Sequence, residues 1–341
     1  MKENINILAT GNLSEEARAI IRDTTEKVKL TVIPANNLKD IPQEVWKQTE
    51  ILISQGLLPD PEMVPNLRWV QFNSAGIDSH INHPLFIDSS VIATNMSGAI
   101  SWQIGEYVLM MLLAFGQKLP KLIRYQMEKH WPKGKEKSQN LMPLELRDST
   151  VGIVGYGSIG RQLARLLVPF GATVLAVKKD VRHPEDQGYI RDGMGDPHGD
   201  FFDRLYPPEA LHSMLAECDF VVLTLPLTEE TRHIIDEEAL KAMKKSAYLV
   251  NVGRGELIDQ QALVTALTAK QIAGAALDVF EKEPLPLDSP LWDLENVIIS
   301  PHVAGLSQNL ESEMVSLFVE NLNRYLAELP LYNRIDLDEG Y

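Results

Sequence analysis

Short apolar runs alternate with helical patterns from one end of the chain to the other, the arrangement of an α/β protein with parallel strands. Five runs lie in the first hundred residues, at 5–8, 30–33, 51–53, 69–72 and 91–94. The fourth leads into the turn residues Ser74-Ala75-Gly76. A small α/β domain is predicted here, followed by a strongly apolar helix over 103–115. Between 118 and 149 the chain becomes polar and irregular, with Pro120, Pro132, Gly134 and Pro143. Only 122–129 keeps a helix-compatible pattern there, and the stretch reads as a linker or an oligomer arm.

A second, cleaner series begins at Ser149. Its candidate strands are 151–154, 173–177, 220–224, 248–251, 275–279 and 297–300, with helical segments at 159–170, 208–216, 237–243 and 260–268. Six parallel strands with crossover helices make a complete doubly wound sheet. A last helix, 306–329, carries Leu310, Met314, Leu317 and Phe318 at helical spacing and is placed to complete the first domain. Residues 182–208 interrupt this plan with a long polar, Gly/Pro-rich connection. Such loops are usually functional or mobile, and a flexible excursion near the adenine end of a bound dinucleotide is expected.

Composition narrows the classes. At roughly 150 residues per domain, 341 residues suggest two domains. The single cysteine excludes an intramolecular disulfide framework and a cysteine-rich zinc site. A formal net charge of -15 argues against nonspecific nucleic-acid binding, which rests on cationic side chains. The longest apolar stretch, 107–115, is too short to span a bilayer and reads as a buried helix. The first residues lack the pattern of a secretory signal. A soluble cytoplasmic protein is expected, with no membrane or nucleic-acid partner. His80, His83, His130, His183, His198, His212 and His233 show no metal-ligand spacing, so no metal is expected, and most of them read as surface residues.

Candidate chemistry starts at Val151-Gly152-Ile153-Val154, which runs into Gly155-Tyr156-Gly157-Ser158-Ile159-Gly160 and then a helical pattern. A G-x-G-x-x-G between strand and helix is a dinucleotide signature. Gly155 serves the tight turn, Gly157 the approach of the pyrophosphate, and Gly160 the packing of helix on strand. An NAD site usually has an acidic residue at the end of the second strand, to hold the ribose hydroxyls. Here Lys178-Lys179-Asp180 follows that strand, with Lys178 at the acidic position. An ammonium there suits a 2′-phosphate, so NADP(H) is favoured, with Arg182 assisting. The alternative is that both lysines are solvated, Asp180 takes the ribose and NAD(H) binds.

In open α/β sheets, ligands bind outside the carboxyl ends of the strands. The residues there are Pro226 and Leu227, then Val252-Gly253-Arg254, then Asp278, Glu281 and Glu283, then Pro301-His302. An arginine, carboxylates and a histidine beside a dinucleotide suit carbonyl reduction. His302 would deliver the proton, a carboxylate would orient its ring, and Arg254 would grip a substrate carboxylate. Each has a bland reading too: Arg254 as an exposed loop residue, Glu283 before Pro284 as a solvated turn residue, His302 as a satisfied core histidine.

With Gly155 to Gly160, Leu225-Pro226-Leu227-Thr228-Glu229-Glu230-Thr231, Asn251-Val252-Gly253-Arg254-Gly255-Glu256-Leu257-Ile258-Asp259, and Gly274 to Pro284 together with Ser300-Pro301-His302-Val303-Ala304-Gly305, the chain resembles the D-isomer-specific 2-hydroxyacid dehydrogenase family over nearly its whole length. The resemblance implies Arg254, Glu283 and His302 as the catalytic trio, and it selects Glu283 over Glu281. It implies that Asp278 meets the nicotinamide carboxamide. It further places Gly155 to Gly160, Lys178, Lys179, Pro226, Val252, Gly253 and Gly305 at the cofactor. Backbone N–H groups of Ser74-Ala75-Gly76 would receive the substrate carboxylate, beside Arg254 and His302. Asn95 and Glu106 fall at positions read as structural.

The implied architecture is a Rossmann dinucleotide-binding domain, 105–305, inserted into a flavodoxin-like α/β substrate domain made of 1–104 and 306–341. A homodimer with an arm over 118–149 is also implied. The implied activity is the NAD(P)H-dependent interconversion of a small 2-keto acid and its D-2-hydroxy acid. Lys178 in place of the family's usual Asp resembles the NADPH-using glyoxylate and hydroxypyruvate reductases. Other readings are a dinucleotide-sensing corepressor-like protein and a phosphoglycerate dehydrogenase-type enzyme. Formate dehydrogenases use Gln where Glu283 stands. Trp102 and Trp131 read as packing residues rather than pocket walls.

Overall fold

The computed structural model describes residues 4–87 and 90–337. The chain divides into two compact units, one of residues 1–100, 187–189 and 307–341, the other of residues 101–186 and 190–306. The sequence reading does not anticipate that 187–189 belong with the first unit.

The first unit holds β1 (Ile5–Ala9), α1 (Glu15–Asp23), β2 (Val28–Val32), α2 (Gln43–Gln48), β3 (Ile51–Ser54), β4 (Trp69–Phe72) and β5 (Ile92–Thr94). Local chemistry starts α1: Ser14 accepts the Ala17 N–H at 3.1 Å, and Glu15 and Glu16 face the positive end of the helix. The strands pair in parallel in the order β2-β1-β3-β4-β5, which is the flavodoxin-like order.

Such a sheet needs cover on both faces. On one face Ile5, Ile7, Ile53 and Trp69 bury against residues of α1 and of a C-terminal helix, Leu310–Leu326. Trp69 stacks on Phe318 of that helix, with ring centroids 5.1 Å apart, and donates its indole N–H to Thr94 Oγ1 at 2.7 Å. Such a ring pair adds about 0.5–1.5 kcal/mol beyond its area burial. On the other face Leu8, Leu52 and Val70 pack with Trp46 of α2. The C-terminal helix is shorter than the predicted 306–329.

The second unit begins with α3 (Ser101–Gly116), α4 (Leu119–Met127) and α5 (Gly134–Leu141). The polar stretch 118–149 therefore contains two helices where the sequence pattern suggests one. Next come β6 (Thr150–Val154), α6 (Ser158–Leu167), β7 (Thr173–Val177), β8 (Arg204–Tyr206), α7 (Leu211–Leu215), β9 (Phe220–Leu223), α8 (Glu237–Ala242), β10 (Tyr248–Asn251), α9 (Gln260–Thr268), β11 (Gly274–Leu277) and β12 (Val297–Ile299). The chain then returns to the first unit with α10, the helix Leu310–Leu326.

All pairings in the second sheet are parallel, in the order β12-β11-β10-β9-β6-β7-β8. This is the Rossmann winding with one strand beyond six. Correcting the expected six, the strand hidden from the pattern is β8. Three residues of mixed polarity, Arg204-Leu205-Tyr206, pair with Leu175-Ala176-Val177 of β7 at the sheet edge. An edge strand needs no continuous apolar run. The order reverses between β6 and β9, which puts the ligand-binding crevice at the carboxyl ends of those strands.

The connection between β7 and β8 also departs from the expected flexible excursion. It folds back on α6. Asp196, 1% exposed, accepts the Tyr156 hydroxyl at 2.6 Å and the N–H groups of Asp200 and Phe201. Arg161 and Gln162 of α6 are buried and bond its backbone at Asp196, Pro184 and Gly195. A segment with this many buried polar contacts is held in place.

Trp102 and Trp131 do not pack as expected. Both are exposed, Trp131 by 83%. They join Met127 and Met142 on the exposed surface of the α3–α5 region.

Candidate active site

The glycine turn joins β6 to α6. Gly155 has φ +106, a conformation that side-chain-bearing residues rarely adopt, and its N–H donates to Val177 O. A Cβ on Gly160 would lie 2.4 Å from Gly155 O, so only glycine permits this approach of helix to turn. A Cβ on Gly157 would meet nothing within 4 Å, and α6 starts there without a side-chain cap. Open space above an uncapped helix N-terminus is what a pyrophosphate needs. The residues at this turn therefore fit a dinucleotide. The Tyr156 side chain points elsewhere: it is buried, its hydroxyl is given to Asp196, and its N–H donates to Val177 O. Burial, together with the Asp196 carboxylate, pushes its phenol well above the ordinary range.

At the end of β7, Lys178 is half-buried. Its ammonium donates to the carbonyls of Asp180 at 3.1 Å and His183 at 2.5 Å. Desolvation and then the Arg161 guanidinium lower its pKa below the usual lysine value. Asp180 is engaged inside the loop, with His183 Nδ1 at 2.6 Å and the Arg182 N–H at 3.0 Å. Lys179 lies further out, 3.6 Å from Glu230.

Three successive strands then deliver the chemistry-bearing side chains, since β10, β11 and β12 are neighbours in the sheet. After β10, Asn251 Oδ1 accepts the Gly253 N–H at 3.0 Å and its amide donates to Arg254 O at 2.8 Å, closing a tight turn. Arg254 is half-buried and extended, and its Nη1 donates to Gly253 O at 2.8 Å. At Gly255 the turn presses against the segment after β11. A Cβ there would fall 1.8 Å from the Phe280 carbonyl carbon. The Arg254 turn and the loop leading to Glu283 thus pack backbone to backbone.

Glu283 Oε1 accepts the Phe280 N–H at 3.1 Å, and its Oε2 lies 2.9 Å from His302 Nδ1. Glu281 is engaged elsewhere, with His233 Nε2 at 3.2 Å and the Gln260 N–H at 3.1 Å. Of the two carboxylates, Glu283 is the one on the imidazole. Both members of that pair stay open to ligand, His302 by 53% and Glu283 by 37%.

His302 has φ +54, an uncommon conformation for a residue with a side chain, and Asp278 holds it there. The His302 N–H donates to Asp278 O at 2.9 Å. The buried Asp278 carboxylate accepts Ser300 Oγ at 2.6 Å, the Val303 N–H at 2.9 Å and the Ala304 N–H at 2.8 Å. Tyr107 of α3 bonds Ser300 in turn. Asp278 therefore builds the His302 turn, a role that its sequence position alone does not disclose. Pro226 O accepts the Thr231 hydroxyl at 2.8 Å, Val252 is buried with its N–H on Leu223 O, and Gly305 follows Ala304 in the His302 turn.

In the first unit, Ser74-Ala75-Gly76 follows β4 at the carboxyl edge of its own sheet. Ser74 Oγ donates to Gly76 O at 2.8 Å, and Ser74 O accepts the Met96 N–H at 3.0 Å. Asn95 is buried and bonds the Ser97 N–H; Glu106 is exposed on α3. Among the described residues, no helix is long and apolar enough to cross a membrane.

The family model described as D-isomer specific 2-hydroxyacid dehydrogenase, NAD binding domain, matches residues 109–304. The chain belongs to that family. A glyoxylate reductase of Korarchaeum cryptofilum is 36% identical over 285 residues, covering 81% of this chain and 79% of the relative. A glyoxylate/hydroxypyruvate reductase B of Pectobacterium carotovorum is 33% identical over 76% of this chain and 75% of its own. Among solved structures, a family member from Xanthobacter autotrophicus Py2, in complex with NADPH and MES, superposes with a TM-score of 0.81 at 25% identity, covering 100% of both chains. As a member of this family, the protein is an oxidoreductase that uses a nicotinamide dinucleotide.

Proposed function

We propose that the protein reversibly reduces small 2-keto acids to D-2-hydroxy acids with NADPH, and that Arg254, Glu283 and His302 carry the reaction. One observation carries this reading: the 2.9 Å contact between His302 Nδ1 and Glu283 Oε2 at the carboxyl ends of neighbouring strands. With its Nδ1 proton on Glu283, the ring exchanges a proton through Nε2. Protonated His302 donates that Nε2 proton to the carbonyl oxygen as negative charge grows on it, and neutral His302 takes it back in the oxidation. Glu283 orients the ring by holding its Nδ1. Arg254 binds the substrate carboxylate with its planar fork and polarises the carbonyl. The nicotinamide coenzyme, when bound, supplies the hydride.

Gly155, Gly157, Ser158, Ile159 and Gly160 would hold the pyrophosphate, with Tyr156 shaping the turn from below. Pro226, Val252, Gly253, Asp278 and Gly305 would meet the nicotinamide half. The Lys178 ammonium supports NADPH over NADH. The backbone of Ser74-Ala75-Gly76 is assigned to the substrate carboxylate by its place after β4. Exposed Met127, Trp131 and Met142 support a homodimer through the arm 118–149.

The test is coenzyme absorbance with glyoxylate, hydroxypyruvate, pyruvate and phenylpyruvate under NADPH and NADH. Turnover of glyoxylate or hydroxypyruvate, faster with NADPH, is expected. No turnover of any 2-keto acid with either coenzyme overturns the reading.

A further inference from the structure

The loop 178–203 is joined to the phosphate-binding helix by one buried cation. Arg161 lies one residue past Gly160 in the first turn of α6 and is 1% exposed. A positive charge at this end of a helix opposes the helix dipole, and its burial costs solvation. Its compensation comes from the loop. Nη1 donates to Asp196 O at 2.6 Å, Nη2 donates to Pro184 O at 2.5 Å, and Nε lies 3.5 Å from Asp186 Oδ2. The guanidinium also lies over the Tyr156 ring, 4.9 Å from its centroid.

The same short segment holds the other cation of the site. His183 O accepts the Lys178 ammonium, and the next carbonyl along the chain, Pro184 O, accepts Arg161. Two consecutive peptide units thus bind the two cations, one each, and the proline restricts the backbone between them. An ammonium has three N–H donors, and two of those on Lys178 are on carbonyls, so one remains for a ligand oxygen. Where that donor points depends on where the His183–Pro184 step is held.

We propose that Arg161 is the positioning residue for the adenosine end of the dinucleotide site: by fixing the His183–Pro184 step it sets the place of the Lys178 ammonium, and with it the discrimination between a phosphorylated and a plain ribose. This rests on the reading that a dinucleotide lies across the start of α6 and the end of β7. Arg161 acts through the loop from beneath it. The loop thereby acquires a function: it is the template that turns Lys178 from a mobile surface lysine into a directed donor.

The test measures fragment binding to the full chain by calorimetry. The probes are 2′,5′-ADP, 5′-ADP and nicotinamide mononucleotide, and the variants are Arg161→Gln and Tyr156→Phe. Hydrogen exchange across 183–200 reports whether the loop is loosened. Arg161→Gln should loosen the loop and weaken 2′,5′-ADP by ~10-fold, the scale of one charge-assisted hydrogen bond, while 5′-ADP weakens less. Nicotinamide mononucleotide should bind as before, which a general loss of structure would not allow. Tyr156→Phe removes one hydrogen bond to Asp196 and should give a smaller change in the same direction. It decides the matter if Arg161→Gln does not fold. A loosened loop with an unchanged ratio of 2′,5′-ADP to 5′-ADP affinity overturns the proposal. If the unsubstituted protein binds both fragments alike, the NADPH reading fails on its own. Arg161 is then judged on 5′-ADP alone: weaker binding in the variant sustains its positioning role, and equal binding ends it.

Discussion

The carboxyl edge of the seven-stranded sheet carries two loop systems built on opposite plans. Over β10, β11 and β12 the side chains of Arg254, Glu283 and His302 follow their strands within a few residues, and the backbone that holds them is bonded by residues at these same strand ends, Asn251 for Arg254 and Asp278 for His302. Over β7, the Lys178 ammonium is placed by a long loop, and that loop is placed by Tyr156 and Arg161 from another part of the chain. The first plan gives reacting groups a fixed geometry with little chain. The second would leave the proposed ribose site at Lys178 adjustable through residues that lie beneath it. The difference suits their tasks, since the chemistry at a carbonyl is shared by many substrates while the coenzyme must be chosen.

Substitutions at each end separate the two plans. The largest effect is expected at His302. His302→Asn removes the proposed proton donor and should lower kcat by ~10²–10⁴-fold, with coenzyme affinity from fluorescence titration nearly unchanged. An equal loss of coenzyme affinity would make the two ends one unit. Glu283→Gln keeps the shape but removes the carboxylate that holds His302 Nδ1. A fall in kcat of ~10-fold is expected, with coenzyme affinity unchanged. An unchanged kcat would reduce Glu283 to a packing role. The smallest effect lies at the ribose end: Lys178→Asp should shift the kcat/KM ratio of NADPH to NADH by ~10-fold toward NADH and leave kcat alone. Because desolvation and Arg161 lower the pKa of Lys178, its charge is lost at lower pH than that of an ordinary lysine. The proposed NADPH preference should therefore fade as pH rises into the alkaline range.

The same contrast explains what was legible in the sequence. The runs 69–72, 173–177 and 248–251 coincide with β4, β7 and β10, because strands buried on both faces are predominantly apolar. His302, Glu283 and Arg254 could be singled out because each stands just beyond such a run, where the sheet architecture places ligands, and the contact of His302 with Glu283 is what the coordinates add. β8 was not readable, since its short pattern at an edge carries no periodic signal. Nor was the anchoring of 178–203. Asp196 is one of several polar residues in its stretch, and nothing local marks it as the buried one. Its partner Tyr156 is 40 residues away. A hint was present in Arg161, a positive charge near the start of α6, where the dipole disfavours it. Asp278 shows a milder form of the same limit: its position was singled out, but its hold on the His302 turn required coordinates.

The placement of α10 has a consequence for how the chain matures. Phe318, Leu317 and Leu322 join α1 in covering one face of a sheet whose strands all lie before residue 95, so that face has only part of its cover until the intervening unit and α10 have been made. The inserted unit depends on no such late arrival, apart from the three residues of its loop that belong elsewhere. Synthesis from the N-terminus thus favours a sequence of events in which the middle of the polypeptide matures ahead of its beginning. Emergence of α10, rather than of the first strands, becomes the moment at which that face of the N-terminal sheet is closed.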